Sequence, residues 1–147
     1  RRYSSAASDV YKRQLLDATK DKYPLHEKIL LDAPCSGTGV IGRRPDIKWR
    51  LRKSDIQRMA NLQKSILKNI SNYLKPGGKL VYSTCSLERE ENQDVIDHFL
   101  KYRSDFELIR THSILPDNWV NSRGFMFSFP AITNTDGLFA AVLRKKI

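Results

Sequence analysis

No regular repeat of apolar positions, whether of about two or about 3.6 residues, runs through the first 14 residues, RRYSSAASDVYKRQ; patterned sequence begins at Leu15. A disordered or artefactual leader is therefore expected over 1–14, and one domain over 15–147. A short apolar stub ends at Asp17, and after a polar link comes Lys28-Ile29-Leu30-Leu31-Asp32, a continuous apolar run expected to form a strand buried on both faces. A loop from Cys35 to Lys53 leads to Ser54, which with Gln57 reads as a capping box opening a helix. Ile56, Met59, Ala60, Ile66, Leu67, Ile70 and Leu74 share one face of that helix, and Pro76-Gly77-Gly78 is expected to stop it. Lys79 to Cys85 reads as a second strand. A second helix is expected from about Glu90, with Val95, Ile96, Phe99 and Leu100 on one side. Glu88 to Glu91 are expected to be a solvated start to it, with Glu90 and Glu91 suiting the positive end of the helix dipole. Phe106 to Ile109 reads as a short strand, and Asn134-Thr135-Asp136-Gly137 as a turn before a last strand, Leu138 to Leu143. Strand and helix alternate, which predicts an α/β fold with a parallel sheet and a late hairpin.

Composition changes little in this picture and charge changes more. The chain has 147 residues, 40% hydrophobic and 29% charged, which is ordinary for a globular domain and excludes collagen-like and low-complexity classes. Its apolar runs fall far short of the roughly 18 residues that would span a bilayer, so no membrane partner is expected. Twenty-six Lys and Arg against sixteen Asp and Glu give a net charge of +10, a balance that favours a polyanionic partner such as nucleic acid. Cys35 and Cys85 sit 50 residues apart with no signal-peptide pattern ahead of them, so a disulfide framework or a paired-ligand zinc site lacks support. Free thiols in a reducing cytoplasm are the simplest reading. His26, His98 and His112 have no ligand-like spacing, and no metal is expected.

Open α/β sheets bind ligands beyond the carboxyl ends of their strands, which directs attention to the residues just after Leu31 and just after Tyr82. Both places hold a cysteine, in Asp32-Ala33-Pro34-Cys35 and Ser83-Thr84-Cys85-Ser86, and adjacent parallel strands would bring both thiols to one rim. Ser36-Gly37-Thr38-Gly39 is no Walker loop, because Gly-Lys-Ser/Thr is missing; its glycines are read as letting the main chain pass close to a flipped base. Arg43, Arg44, Lys48, Arg50, Arg52 and Lys53 crowd together with only Asp46 opposing, as a phosphate-binding loop would, and Trp49 offers a ring for stacking on a base or for anchoring the loop.

The stretches DAPCSGTGVIGRRPDIKW (32–49) and KPGGKLVYSTCSLEREEN (75–92) closely resemble two motifs of the RNA cytosine-5 methyltransferases, particularly the bacterial small-subunit rRNA group, and TDGLFAAVLRK (135–145) resembles that family's final strand. The resemblance implies part of a Rossmann-like class I methyltransferase sheet, its C-terminal half in the order 4-5-7-6 with flanking helices. It implies S-adenosylmethionine as methyl donor and RNA, small-subunit rRNA, as substrate. It makes Cys85 the nucleophile, Cys35 the residue that releases the product, and Asp32 the group holding the cytosine edge. Asp17, Asp32 and Pro34 would touch the donor, and Arg43, Arg44, Lys48, Trp49 and Arg50 the RNA. The family's glycine-rich donor turn has no counterpart in the sequence. The chain alone is therefore expected to transfer no methyl groups, and to be aggregation-prone along the strand edge that the missing strand would cover. Two other readings stay open: a noncatalytic basic RNA-binding module, and a thiol oxidoreductase, which the lack of Cys-x-x-Cys disfavours.

Overall fold

Residues 14–111 and 115–147 are described by the computed structural model; the expectations for residues 1–13 and for His112 lie outside them. β1 (His26–Asp32) and β2 (Leu74–Thr84) pair in parallel, joined by a crossover through a short helix α1 (Ile47–Arg50) and the long helix α2 (Lys53–Ile70). After β2 come α3 (Gln93–Tyr102), β3 (Phe106–Ile109), β4 (Met126–Ser128), a one-turn α4 (Pro130–Thr133) and β5 (Leu138–Lys145). β5 inserts antiparallel between β2 and β3, and β4 pairs with the start of β5. The order β1-β2-β5-β3 is the 4-5-7-6 order that the sequence resemblance implies.

α2 and α3 cover one face of this sheet. Leu67, Leu74, Leu80, Tyr82, Val95, Ile96, Phe139 and Leu143 are fully buried between the layers, and each large apolar side chain so removed from water contributes roughly 1.5–3 kcal/mol. The helical periods are realised as expected for Ala60, Ile66, Leu67 and Ile70 on α2 and for Val95, Ile96 and Phe99 on α3.

Four local expectations are corrected. β1 is not buried on both faces: Leu31 points into the core, but Leu30 is 73% exposed and β1 pairs with β2 alone among the described residues. Its apolar run thus marks a strand whose second face and outer edge are bare. α2 opens at Lys53 rather than at a Ser54 cap, because the Asp55 carboxylate accepts the Arg52 backbone N–H at 3.0 Å and so closes the first turn. The helix ends at Ile70 in a 3-10 turn, which leaves Leu74 to begin β2. Pro76-Gly77-Gly78 is therefore a bulge within β2. His26 pairs with Leu74 and Lys28 with Lys79, so the extra β2 residues loop out through Gly77 at φ 75°, a backbone angle that favours glycine. Finally, Glu91 is not solvated: it lies in a 3-10 turn ahead of α3 and is fully buried.

Candidate active site

The parallel register of β1 and β2 sets Asp32 beside Ser83, and the two chains leave the sheet side by side. Ala33 N–H still donates to Ser83 O at 2.9 Å, and two residues further on the half-buried Cys35 and Cys85 meet with their sulfurs 3.3 Å apart. Both expected thiols therefore share one rim. Burial, the hydrogen bond with Cys85 and its charge together push the Cys35 thiol up to about 12. Cys35 accordingly keeps its proton within hydrogen-bond distance of Cys85.

Beneath the thiols lies a buried polar network. The Glu91 carboxylate accepts the Ser36 backbone N–H at 2.8 Å, the Gln63 side-chain amide at 2.9 Å and the Ser86 hydroxyl at 3.0 Å. Gln63 also donates to Pro34 O, Thr84 to Asn92 Oδ1 at 2.6 Å, and Asn92 to Ser86 O at 2.8 Å, while Tyr82 OH donates to the Glu91 carbonyl at 2.7 Å. Sequence patterning misses Glu91 and Gln63. For Gln63 a signal was present, since it falls between Ala60 and Leu67 on the apolar stripe of α2.

Gly39 and Gly137 cross beside this network. A Cβ on Gly39 would stand 2.1 Å from Gly137 O and 2.9 Å from Cys85 O, and Gly39 N–H donates to Cys85 O while Gly137 N–H donates to Gly39 O. The close approach read from the glycines is thus made to the chain itself at the entrance to β5.

Asp32 is exposed at the end of β1, with the Ser83 hydroxyl 3.4 Å from its carboxylate, and Pro34 is exposed next to the buried Ala33. Asp17 belongs to a different setting. Its carboxylate accepts the Thr19 N–H and hydroxyl and pairs with Lys20, closing its own turn, and these contacts hold its pKa below the usual carboxylate value. A cleft of about 250 Å³ opens beside Cys35, lined also by Ser36, Ile47, Arg50, Asp55, Arg58 and Met59 but not by Cys85. A larger one, about 440 Å³, lies between the outer faces of α2 and α3 and includes neither cysteine.

The basic loop sits at the same rim and is exposed, yet Arg43, Arg44, Lys48 and Arg50 are partnered. Arg43 pairs with Asp136, Arg50 and Arg44 both face Asp46, and the Lys48 ammonium lies 5.6 Å from the centre of the Trp49 ring. Asp136 adds an opposing charge that the sequence pattern did not reveal. Trp49 is 83% exposed, so it does not anchor the loop. Among the described residues no group of three His, Cys, Asp or Glu side chains is placed to hold a metal ion, and no helix is long and apolar enough to cross a membrane.

Comparison with known proteins bears on this rim. The family model for 16S rRNA methyltransferase RsmB/F matches residues 7–144. The ribosomal RNA small subunit methyltransferase B of Proteus mirabilis is 45% identical over 120 residues, 82% of this chain and 25% of its own length. A Bacillus subtilis protein described as a probable ribosomal RNA small subunit methyltransferase B is 43% identical, covering 82% of this chain and 28% of its own. The chain thus spans about a quarter of the length of the curated relatives it matches. Among solved structures, NSun6 from Pyrococcus horikoshii with SFG aligns at TM-score 0.78 and 31% identity, over 91% of this chain and 34% of that one. A methyltransferase homologue from the same organism aligns at TM-score 0.68 and 35% identity, over 83% of this chain and 40% of its own. The mixed sheet is accordingly that of a class I methyltransferase, and this chain belongs to the 16S rRNA methyltransferase RsmB/F family.

Proposed function

We propose that this chain is the C-terminal part of a catalytic domain that methylates carbon 5 of a cytosine in RNA, small-subunit rRNA, through a covalent cysteine adduct. The observation that carries the reading is the 3.3 Å approach of Cys35 and Cys85 at the carboxyl ends of two neighbouring parallel strands. Carbon 5 of an aromatic pyrimidine is a weak nucleophile, and a thiolate that bonds to carbon 6 makes it a strong one. Cys85 is the attacking sulfur: it lies in hydrogen-bond contact with Cys35, whose proton is held by burial and by Cys85 itself. Asp32, exposed at the end of β1, faces the cytosine edge and stabilises the adduct's charge.

The residues present fit one wall of a donor site: the Asp32 carboxylate suits a cationic sulfonium and the exposed Pro34 an apolar ring face, with Asp17 a more distant candidate. S-adenosylmethionine, when bound, supplies the methyl group as an electrophile. With Cys85 bonded to carbon, its hydrogen bond and charge no longer raise the Cys35 pKa. Cys35 then loses its proton to solvent more readily and becomes the base that takes the carbon-5 proton. The electrons of that C–H bond re-form the ring double bond, the carbon–sulfur bond breaks, and Cys85 leaves as thiolate. Arg44, Lys48 and Arg50, with Trp49, exchange their surface partners for RNA phosphate and base, and Arg43 does so once it lets go of Asp136. Two free thiols are suited to a reducing cytoplasm.

In the full-length protein that carries this chain, Cys85→Ala is expected to abolish methylation of rRNA by labelled donor. Cys35→Ala is expected to accumulate an RNA–protein adduct that survives denaturation. Methylation retained by the Cys85 variant, or no adduct in any variant with RNA binding intact, overturns the proposal in favour of a noncatalytic RNA-binding module. The 147-residue chain by itself is expected to show no turnover, because its described residues supply no glycine-rich donor turn; measurable turnover would refute that.

A further inference from the structure

We infer that Glu91 is the positioning residue of the thiol pair, its buried carboxylate clamping the loop that carries Cys35 to the loop that carries Cys85. The clamp is direct: one oxygen takes the backbone N–H of Ser36, the residue after Cys35, and the other takes the hydroxyl of Ser86, the residue after Cys85. A third donor, Gln63 on α2, bridges the same carboxylate to Pro34 O on the other side of Cys35. Glu91 is 0% exposed, and every donor it meets belongs to a segment flanking a thiol or to the helix behind them. A full negative charge is suited to three convergent donors, whereas a neutral acceptor leaves one of them facing a second donor.

Its own backbone is fixed in turn, with Tyr82 OH on the Glu91 carbonyl and Asn92 joining Thr84 to the Ser86 carbonyl. The acid is therefore held rigidly from β2 and α3 while its side chain holds the loops. Two thiols that act in turn on one ring need such a fixed link, since catalytic groups displaced by about 1 Å can lose on the order of 100-fold in rate.

The inference rests on the reading of Cys85 and Cys35 as nucleophile and release base, but the spacing itself can be read without it. In the full-length protein, diamide takes two electrons and two protons from the pair and leaves a Cys35–Cys85 disulfide, detected by peptide mass mapping. Glu91→Gln is expected to close that disulfide about 10-fold more slowly, and to lower kcat for methyl transfer by about 10- to 100-fold while the KM for RNA stays within about 2-fold. Glu91→Asp, which restores the charge on a shorter arm, is expected to recover part of both. If Glu91→Gln fails to fold, Ser86→Ala removes a single donor and is expected to move both readouts in the same direction by less. A Glu91→Gln protein that melts lower but closes the disulfide at the unsubstituted rate overturns the inference, as does a rise in KM with kcat unchanged. Methylation that survives Cys85→Ala overturns the functional reading instead, and the disulfide rate still decides the role of Glu91.

Discussion

Two segments of the same rim are organised in opposite ways. The thiol loops rest on a network in which Glu91, Gln63, Ser86, Thr84 and Asn92 are all buried and hydrogen-bonded to one another or to the backbone. The basic loop a few residues away is exposed, and its Arg43, Arg44 and Arg50 are held by ion pairs with Asp46 and Asp136 at the surface. Buried charge-assisted hydrogen bonds are strong and costly to break, while exposed ion pairs are worth about 0–1 kcal/mol each and exchange readily. The first segment is suited to fixed geometry and the second to trading its partners for a polyanion.

The contrast can be broken most severely where the network meets the chain's own backbone. Gly39→Ala would drive a methyl group to 2.1 Å from the Gly137 carbonyl oxygen, with no flexible side chain to give way. A loss of about 3 kcal/mol or more is expected; a thermal melt that matches the unsubstituted protein would sink the distinction. Tyr82→Phe sharpens it at smaller scale. Removing the hydroxyl leaves the buried Glu91 carbonyl short of its 2.7 Å donor, and denaturant titration should find about 1–2 kcal/mol of lost stability. The double change Arg44→Ala and Lys48→Ala, by comparison, should alter stability by no more than about 0.5 kcal/mol. Its effect belongs to RNA binding: the slope of log affinity against log salt should shrink by about one per substitution. An unchanged slope would mean that these cations never meet phosphate.

How much of this was legible in the sequence depended on whether the determining contacts were local. The apolar runs at 28–32 and 79–85 gave two parallel strands because a helix of the right length separates them, and that topology alone put Cys35 and Cys85 on one rim. The strand at 106–109 and the antiparallel return at 138–145 followed from alternation and turn chemistry. Glu91 was lost among neighbouring acids, since a run of charge looks solvated until a 3-10 turn rotates one member inward. The Pro76-Gly77-Gly78 bulge reads in sequence as a helix stop because both uses select the same residues, and pairing with β1 separates them. The Arg43–Asp136 pair joins residues far apart in the sequence, so no local pattern foretells it.

The crossing of Gly39 with Gly137 has a consequence for biogenesis. Chains emerge from the ribosome N-terminus first and tend to fold in that order. Here the backbone beside Cys85 is braced by a residue that lies far downstream of both cysteines in the sequence, through Gly137 N–H on Gly39 O and Gly39 N–H on Cys85 O. A nascent chain stalled before Gly137 would hold both sulfurs yet lack the brace that shapes their loops, so the thiol loops take their final form only well after both cysteines have been made.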